Sequence, residues 1–326
     1  MNRLIRKTLL TTACLCKVEA VLRKWNHRPR VIFWHGVSQN RTEALTPENI
    51  SYKDFIRQLD YLKRYYNVIS MDEYYSRRFS GKWDGREVVL TFDDGYRNNR
   101  RVAMELLSER QLPFTVFVST AHVDSGELFP TSLVRVFSAE SAIRKLSLPS
   151  LDIDLPLLSE ADRKVAAGLI GKKMKHASLA QVKRAVGELR RTVSPEAGKE
   201  LELRWQELAP MNWNEVREIQ RSGWGTIASH CMDHCCCHTG QDSEEVWRQL
   251  AGSKEKIERE LQVPCHYFAY PNGDFTRESN EMLRKIGYRL GFSTGGTKHS
   301  TICDFAISRI NVNAEFGKFK LLLELP

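Results

Sequence analysis

No stretch of this 326-residue chain is long and apolar enough to span a bilayer, which needs about 20 residues; the apolar run near its start, Leu9 to Cys16, is far shorter. A polytopic membrane protein is thereby excluded, and 42% hydrophobic beside 27% charged residues excludes a disordered chain. A disulfide framework is lacking too. Cys14, Cys16, Cys231, Cys235, Cys236, Cys237, Cys265 and Cys303 do not form the dense, spaced set of a small secreted domain, and they point to a reducing compartment. The cytoplasm is therefore the expected location. Negative charge is in deficit: 49 Lys and Arg against 40 Asp and Glu leave a formal +9. That excess favours an anionic partner such as an acidic polysaccharide, a phosphate-bearing glycolipid or a membrane surface. Nucleic acid is not expected, because no helix-turn-helix, zinc-finger or RNA-binding sheet signature accompanies the charge.

Residues 1–26 join Arg3, Arg6 and Lys7 to that short apolar run without a small-residue cleavage site, so they read as an amphipathic segment. Two roles fit it: peripheral contact with a membrane, or packing on the core. Over residues 27–326 short β-branched or aromatic runs alternate with helical ones, the sign of an α/β fold around a mostly parallel sheet. Strands are expected at Val31 to Trp34, Val88 to Phe92, Thr115 to Val118, Gly225 to Ser229, Tyr267 to Tyr270 and Leu290 to Ser293. Helices are expected from Tyr52 to Tyr66 with Ser51 as cap, after Asn212 with Glu215 completing a capping box, and around Met282 and Ile286 with Gly287 as the stop. Between about 121 and 210 the alternation lapses, and Leu179, Val182, Val186 and Leu189 at helical spacing predict an insertion of one or two helices.

The chemistry-bearing residues fall at the downstream ends of these strands, which in a parallel barrel form one face. Thr91-Phe92-Asp93-Asp94-Gly95 places two carboxylates past a strand, where successive side chains point apart and can take separate tasks. Ser229-His230-Cys231-Met232-Asp233-His234 offers two imidazoles four apart, a separation expected to put both on one side of a helical turn. With Asp94 they make a two-His, one-carboxylate metal site with open positions, suited to zinc, cobalt, nickel or iron(II). His35 ends the first strand and should reach the same face; imidazole ordinarily titrates in the range that suits proton donation, and a structural role bonding a loop carbonyl fits it equally. Adjacent thiols in Cys235-Cys236-Cys237-His238 cannot easily share one tetrahedral ion, so they read as small buried hydrophobes. Trp34, Trp213, Trp224 and Tyr270 read as core aromatics ahead of sugar-stacking platforms.

Together these segments resemble the polysaccharide deacetylase family, also called the NodB-homology or carbohydrate esterase family 4 domain. Thr91 to Gly95 matches its first motif, Ser229 to His234 its second, and Phe268-Ala269-Tyr270-Pro271-Asn272-Gly273 approximately its third, in family order across Val31 to Val312. The resemblance implies a distorted (β/α) barrel carrying the helical insertion, with Asp93 as general base and Asp94, His230 and His234 holding a divalent metal, zinc foremost. It places Tyr270, Pro271, Asn272 and Gly273 at the substrate, with backbone N–H groups of that turn receiving the oxyanion. The implied activity is metal-dependent removal of N-acetyl groups from amino sugars of a polysaccharide, oligosaccharide or lipid-linked glycan. Sugar O-deacetylation, deformylation and a catalytically silent carbohydrate-binding protein of the same fold are the alternatives. Three positions depart from the pattern. Cys231 stands where Ser or Thr is usual, and Ala269 where many members have an Arg that orients the catalytic Asp, which leaves Arg309 as a candidate source of that charge. The late Leu-x-Leu-x-His motif of the general acid is missing, since His299 lies in a polar stretch without it, and His35 is the leading acid.

Overall fold

The computed structural model describes residues 18–39, 42, 45–294 and 303–324. Seven parallel strands close on themselves: β1 Arg30–Trp34, β2 Glu87–Phe92, β3 Phe114–Val118, β4 Gly225–Ser229, β5 Tyr267–Ala269, β6 Leu290–Thr294 and β7 Ile307–Asn311. They follow one another around the ring in chain order. The ring closes where β7 pairs with β1, Ile32 opposite Ile310 and Phe33 opposite Asn311, while β1 pairs on its other edge with β2. The expected distorted (β/α) barrel is what the chain forms.

Burial on both faces explains why the strands read as unbroken apolar runs. Alternate residues point into the barrel and out toward the helices. Val31, Val89, Phe117, Ala228, Tyr267, Phe292 and Ile307 fill the interior with Ile69, Met71 and Tyr74. Ile32, Trp34, Leu90, Phe92, Val116 and Phe268 face the helical layer instead. Each such side chain, fully buried, contributes ~1.5–3 kcal/mol. The helices start and stop where local chemistry dictates. Ser51 accepts the N–H of Asp54 ahead of Tyr52–Tyr65, Asn212 and Glu215 form a reciprocal capping box ahead of Trp213–Arg221, and Gly287 ends Arg277–Ile286 with a φ of 91°.

Between β3 and β4 the insertion is larger than the one or two helices expected. It holds helices Pro130–Glu140, Glu160–His176, Leu179–Arg190 and Pro195–Arg204, and an antiparallel hairpin of Lys145–Leu148 with Ile153–Pro156. Leu133, Phe137, Leu146, Leu148, Ile170 and Leu189 make a hydrophobic cluster of their own. The helix Glu160–His176 escaped the periodicity because Val165 and Leu169 sit on its solvent side, which blurs the apolar stripe.

Most of the expected amphipathic start, residues 1–17, lies outside the described residues. The helix Val18–Trp25 packs on the body, with Arg23 4.1 Å above the Tyr65 ring and Glu19 paired to Lys320. Val21 and Trp25 face solvent.

Candidate active site

β2 runs straight into Asp93, whose side chain shares the inward face with Thr91. There Arg309 of β7 meets it. Nη1 of Arg309 donates to Asp93 Oδ1 at 2.6 Å and to Thr91 Oγ1 at 3.2 Å, while Nη2 donates to Asp93 Oδ2 at 2.7 Å. The pair is dry, with Arg309 2% and Asp93 3% exposed. Phe33 and Phe117 hold the guanidinium at 4.6 and 5.1 Å from their ring centroids. Burial pushes the Asp93 carboxyl up, but the charge of Arg309, aided by His230 and His35, outweighs it and holds the group below its ordinary value. Asp93 is thus ionised at neutral pH with both oxygens fixed. Arg309 supplies from β7 the charge that Ala269 on β5 cannot.

The chain then turns through Asp94 and Gly95, at φ of 71° and 79°. A Cβ on Gly95 would lie 2.8 Å from Cγ1 of Val118, so this turn needs glycine. The turn separates the two carboxylates: Asp94 Oδ1 lies 3.4 Å from Nε2 of His230 and 3.2 Å from Nε2 of His234. One ligand atom from each of the three residues falls within 4.8 Å of the others. Nδ1 of His230 is 2.7 Å from the carbonyl oxygen of Ala269, a contact that keeps the proton on Nδ1 and turns Nε2 toward the shared centre. Burial pushes Asp94 up, yet the two imidazoles more than offset it and hold the carboxyl well below its ordinary value. Its Oδ1 is buried without a hydrogen-bond partner. An ionised oxygen left bare in this way, facing two imidazole nitrogens, fits a divalent cation.

The two histidines do not share a helical turn, contrary to the reading of their spacing. His230 ends β4 by donating its N–H to the Val118 carbonyl, and Cys231 and His234 take left-handed φ of 64° and 54° that fold the loop back. A buried glutamine braces this loop. Gln249 Oε1 accepts the N–H groups of Met232 and Asp233 at 3.1 and 2.8 Å, and its Nε2 donates to Asp233 Oδ2 at 2.6 Å. Sequence reasoning missed Gln249. Its only signal was a polar residue on the stripe that buries Val246, Leu250 and Ile257 in the helix Ser243–Leu261.

Barrel and insertion together enclose a cavity of about 1270 Å³ whose lining includes His35, Asp93, Asp94, His230, His234 and Asn272. Nδ1 of His35 is buried without a partner, its ring packs edge-on to Phe33 at 5.6 Å, and its carbonyl accepts Nδ2 of Asn99 at 2.7 Å. Of the third motif only Asn272 lines the cavity. Tyr270 is wholly buried instead, its hydroxyl donating to Asn280 Oδ1 at 2.8 Å. Pro271 is buried as well, and Gly273, at φ 78°, backs onto Thr294, whose Oγ1 a Cβ there would meet at 2.2 Å. The N–H groups of Tyr270 and Gly273 are taken by the carbonyls of Phe292 and Tyr270. Tyr270, Pro271 and Gly273 therefore shape the turn from behind, and the oxyanion donor expected there narrows to the N–H of Asn272.

Cys231, Cys235, Cys236 and Cys237 are free and buried, and burial raises the Cys236 thiol to about 12, so that thiol packs without ionising. Trp34 is core, its Nε1 donating to Gln58, and Trp213 donates to Asp124 beneath the Lys256 ammonium. His299 lies outside the described residues.

The sequence profile of the family described as Polysaccharide deacetylase matches residues 80–147 and 154–291, more than half of the chain. The Streptococcus pyogenes deacetylase PplD, solved in complex with acetate, superposes with a TM-score of 0.60 at 15% identity, over 91% of this chain and 98% of that one. A de-N-acetylase from Aggregatibacter actinomycetemcomitans gives 0.55 at 16% identity over 90% and 98% of the two chains. IcaB from Ammonifex degensii gives 0.55 at 16% over 91% and 97%. Identities this low speak for the fold alone. Comparison with curated protein sequences gives no match.

Proposed function

The chain belongs to the polysaccharide deacetylase family, and from that premise we propose that it hydrolyses N-acetyl groups from amino sugars of a polysaccharide or lipid-linked glycan. One observation carries the reading: two adjacent buried carboxylates with opposite partners, Asp93 clamped by Arg309 and Asp94 facing His230 and His234. A divalent ion held by Asp94, His230 and His234 would supply Lewis acidity, polarising the acyl carbonyl and acidifying water. Zinc, cobalt, nickel and iron(II) all suit this donor set. Asp93 takes the proton of the attacking water, because Arg309 keeps it ionised and aims its oxygens. The N–H of Asn272 offers a donor to the charge developing on the carbonyl oxygen. His35, with an unpartnered ring nitrogen in the cavity wall, delivers a proton to the departing amine.

Metal analysis combined with acetate release from N-acetylglucosamine oligomers tests this. Expected are about one bound ion per chain and a release that Asp93→Asn abolishes. Bound metal without release from any glycan would favour a silent carbohydrate-binding protein.

A further inference from the structure

Two loops meet beside the cavity, and the fold fastens them to each other at two points. The loop after β4 carries His230 and His234, and the turn after β5, Pro271–Gly273, carries the N–H of Asn272. The first fastening is the 2.7 Å contact between Nδ1 of His230 and the Ala269 carbonyl, just ahead of the turn. The second lies at the apex of the turn, where Nδ2 of Asn272 donates to Sγ of Cys236 at 2.8 Å. Cys236 comes two residues after His234, so that histidine sits between the two fastenings along the chain. Cys236, Asn272 and Thr294 all line the cavity that holds the candidate metal ligands.

The second fastening bears on where one backbone N–H points. Asn272 has φ of 56° and ψ of 1°, a left-handed conformation that asparagine tolerates better than most residues but does not impose. Pro271 has no N–H, and those of Tyr270, Gly273 and Asp274 go to the carbonyls of Phe292, Tyr270 and Pro271. Among the described residues of the turn, Asn272 alone keeps an N–H without an acceptor. Its direction follows from how the residue is held on either side. Thr294 Oγ1 donates to the Asn272 carbonyl at 2.9 Å, and Cys236 takes the side chain. An asparagine amide without such an anchor turns to nearby backbone groups and offers the chain another conformation. The anchor is itself fixed: Cys236 is buried, and its carbonyl accepts the N–H of His238 at 3.0 Å.

We propose that Cys236 is a positioning residue, holding the Asn272 side chain so that the Asn272 N–H faces the carbonyl oxygen of an acyl group at the metal centre. For that acyl group the proposal rests on the deacylase reading. Negative charge developing on the oxygen has to meet the ion and the N–H together, so the spacing of loop and turn bears on the transition state more than on the bound substrate. Cys236 touches no reacting atom in this role and acts through Asn272. A thiol accepts weakly, so burial and proximity hold the latch more than bond strength does, and a hydroxyl in the same place keeps an acceptor.

Four variants of the full, metal-loaded chain test this: Cys236→Ala, Cys236→Ser, Asn272→Gly and the double variant Cys236→Ala/Asn272→Gly. Kinetics read kcat and KM for acetate release from N-acetylglucosamine oligomers, calorimetry reads the binding of acetate, and metal analysis reads the state of the ligand loop. Loss of a whole oxyanion donor costs about 10²–10³ in kcat, so a misdirected one should cost at least about tenfold. Cys236→Ala should lose that factor in kcat with KM and metal content unchanged, and should bind acetate more weakly by a similar factor. Cys236→Ser should recover most of both losses. The double variant should be no slower than Asn272→Gly alone, because the two residues act as one device. A Cys236→Ala turnover within about twofold of the wild type, losses that multiply in the double variant, or a serine variant no better than the alanine one overturns the role. Lowered metal content in Cys236→Ala also overturns it, since the residue then braces the ligand loop and not the donor. Weakened acetate binding without release from any glycan leaves the positioning role standing and removes the deacylase reading. Unchanged acetate affinity overturns the role whether or not a glycan turns over.

Discussion

Replacing Arg309 by Met tests the base and its clamp together. Methionine keeps an unbranched chain of similar length between Phe33 and Phe117, so the change removes the charge and little packing. Asp93 would remain 3% exposed with no cation beside it. Two charges about 4 Å apart attract by roughly 4 kcal/mol at an effective dielectric of about 20. Removing one partner of such a pair typically costs about 3–5 kcal/mol, because the other charge stays buried. The pH dependence has a definite sign. In the wild type the folded pKa of Asp93 lies below its unfolded value, so its stabilisation is present at neutral pH and is lost as pH falls through the folded value. In the variant burial acts without Arg309 and the folded pKa rises above the unfolded one. The penalty is then full at neutral pH and fades on acidification. Urea unfolding of both proteins in chelator should show a gap of about 3–5 kcal/mol at pH 7.5 that narrows at pH 4.5, with Asp93→Asn restoring part of it. A gap below about 1 kcal/mol, or one equal at both pH values without rescue, would refute the clamp.

Asp94→Ala or His234→Ala should lower metal affinity by at least about 100-fold in equilibrium dialysis, and unchanged affinity would place the metal elsewhere. His35→Gln should reduce kcat by roughly 10²-fold or more with metal content intact, whereas undiminished turnover would remove it from proton transfer. Gln249→Leu should destabilise the fold by ~1–3 kcal/mol and weaken metal binding, since the Met232 and Asp233 N–H groups lose their acceptor; wild-type metal affinity would show that the loop holds without its brace. Fractionation of the full chain beside a form lacking residues 1–26 tests membrane contact: a shift from the membrane to the soluble fraction would support anchoring, and identical soluble behaviour of both forms would argue against it.

The barrel was legible because buried parallel strands write their pattern into consecutive residues. Each apolar run ended at or near the residue that carries chemistry, as β2 does at Asp93 and β4 at His230. What escaped reading depends on contacts between distant residues. Arg309 could be named from the sequence as a candidate charge, but its two-pronged grip on Asp93 is set by the register of β7 on β1. The left-handed turns at Cys231 and His234 were hidden behind a spacing that equally suits a helix. Tyr270 matches a motif whose position suggests substrate contact, yet its ring lies beneath the strand ends among Phe268 and Phe275. The insertion was underestimated because exposed Val165 and Leu169 blur the apolar stripe of the helix Glu160–His176.

The closure of the barrel bears on when reactivity arises. Asp93 and Arg309 are 216 residues apart and sit on strands that flank β1 without touching each other. During synthesis the residues for the metal centre emerge long before the arginine does. Until β7 zips onto β1, Asp93 is a solitary carboxylate at the rim of an unsealed lumen, and a nascent chain lacks the clamped carboxylate that the proposed reaction would use as its base. Under the proposed mechanism, competence to react is coupled to the slowest class of contact a chain can make, that between its distant ends, and a partly assembled molecule would stay inert.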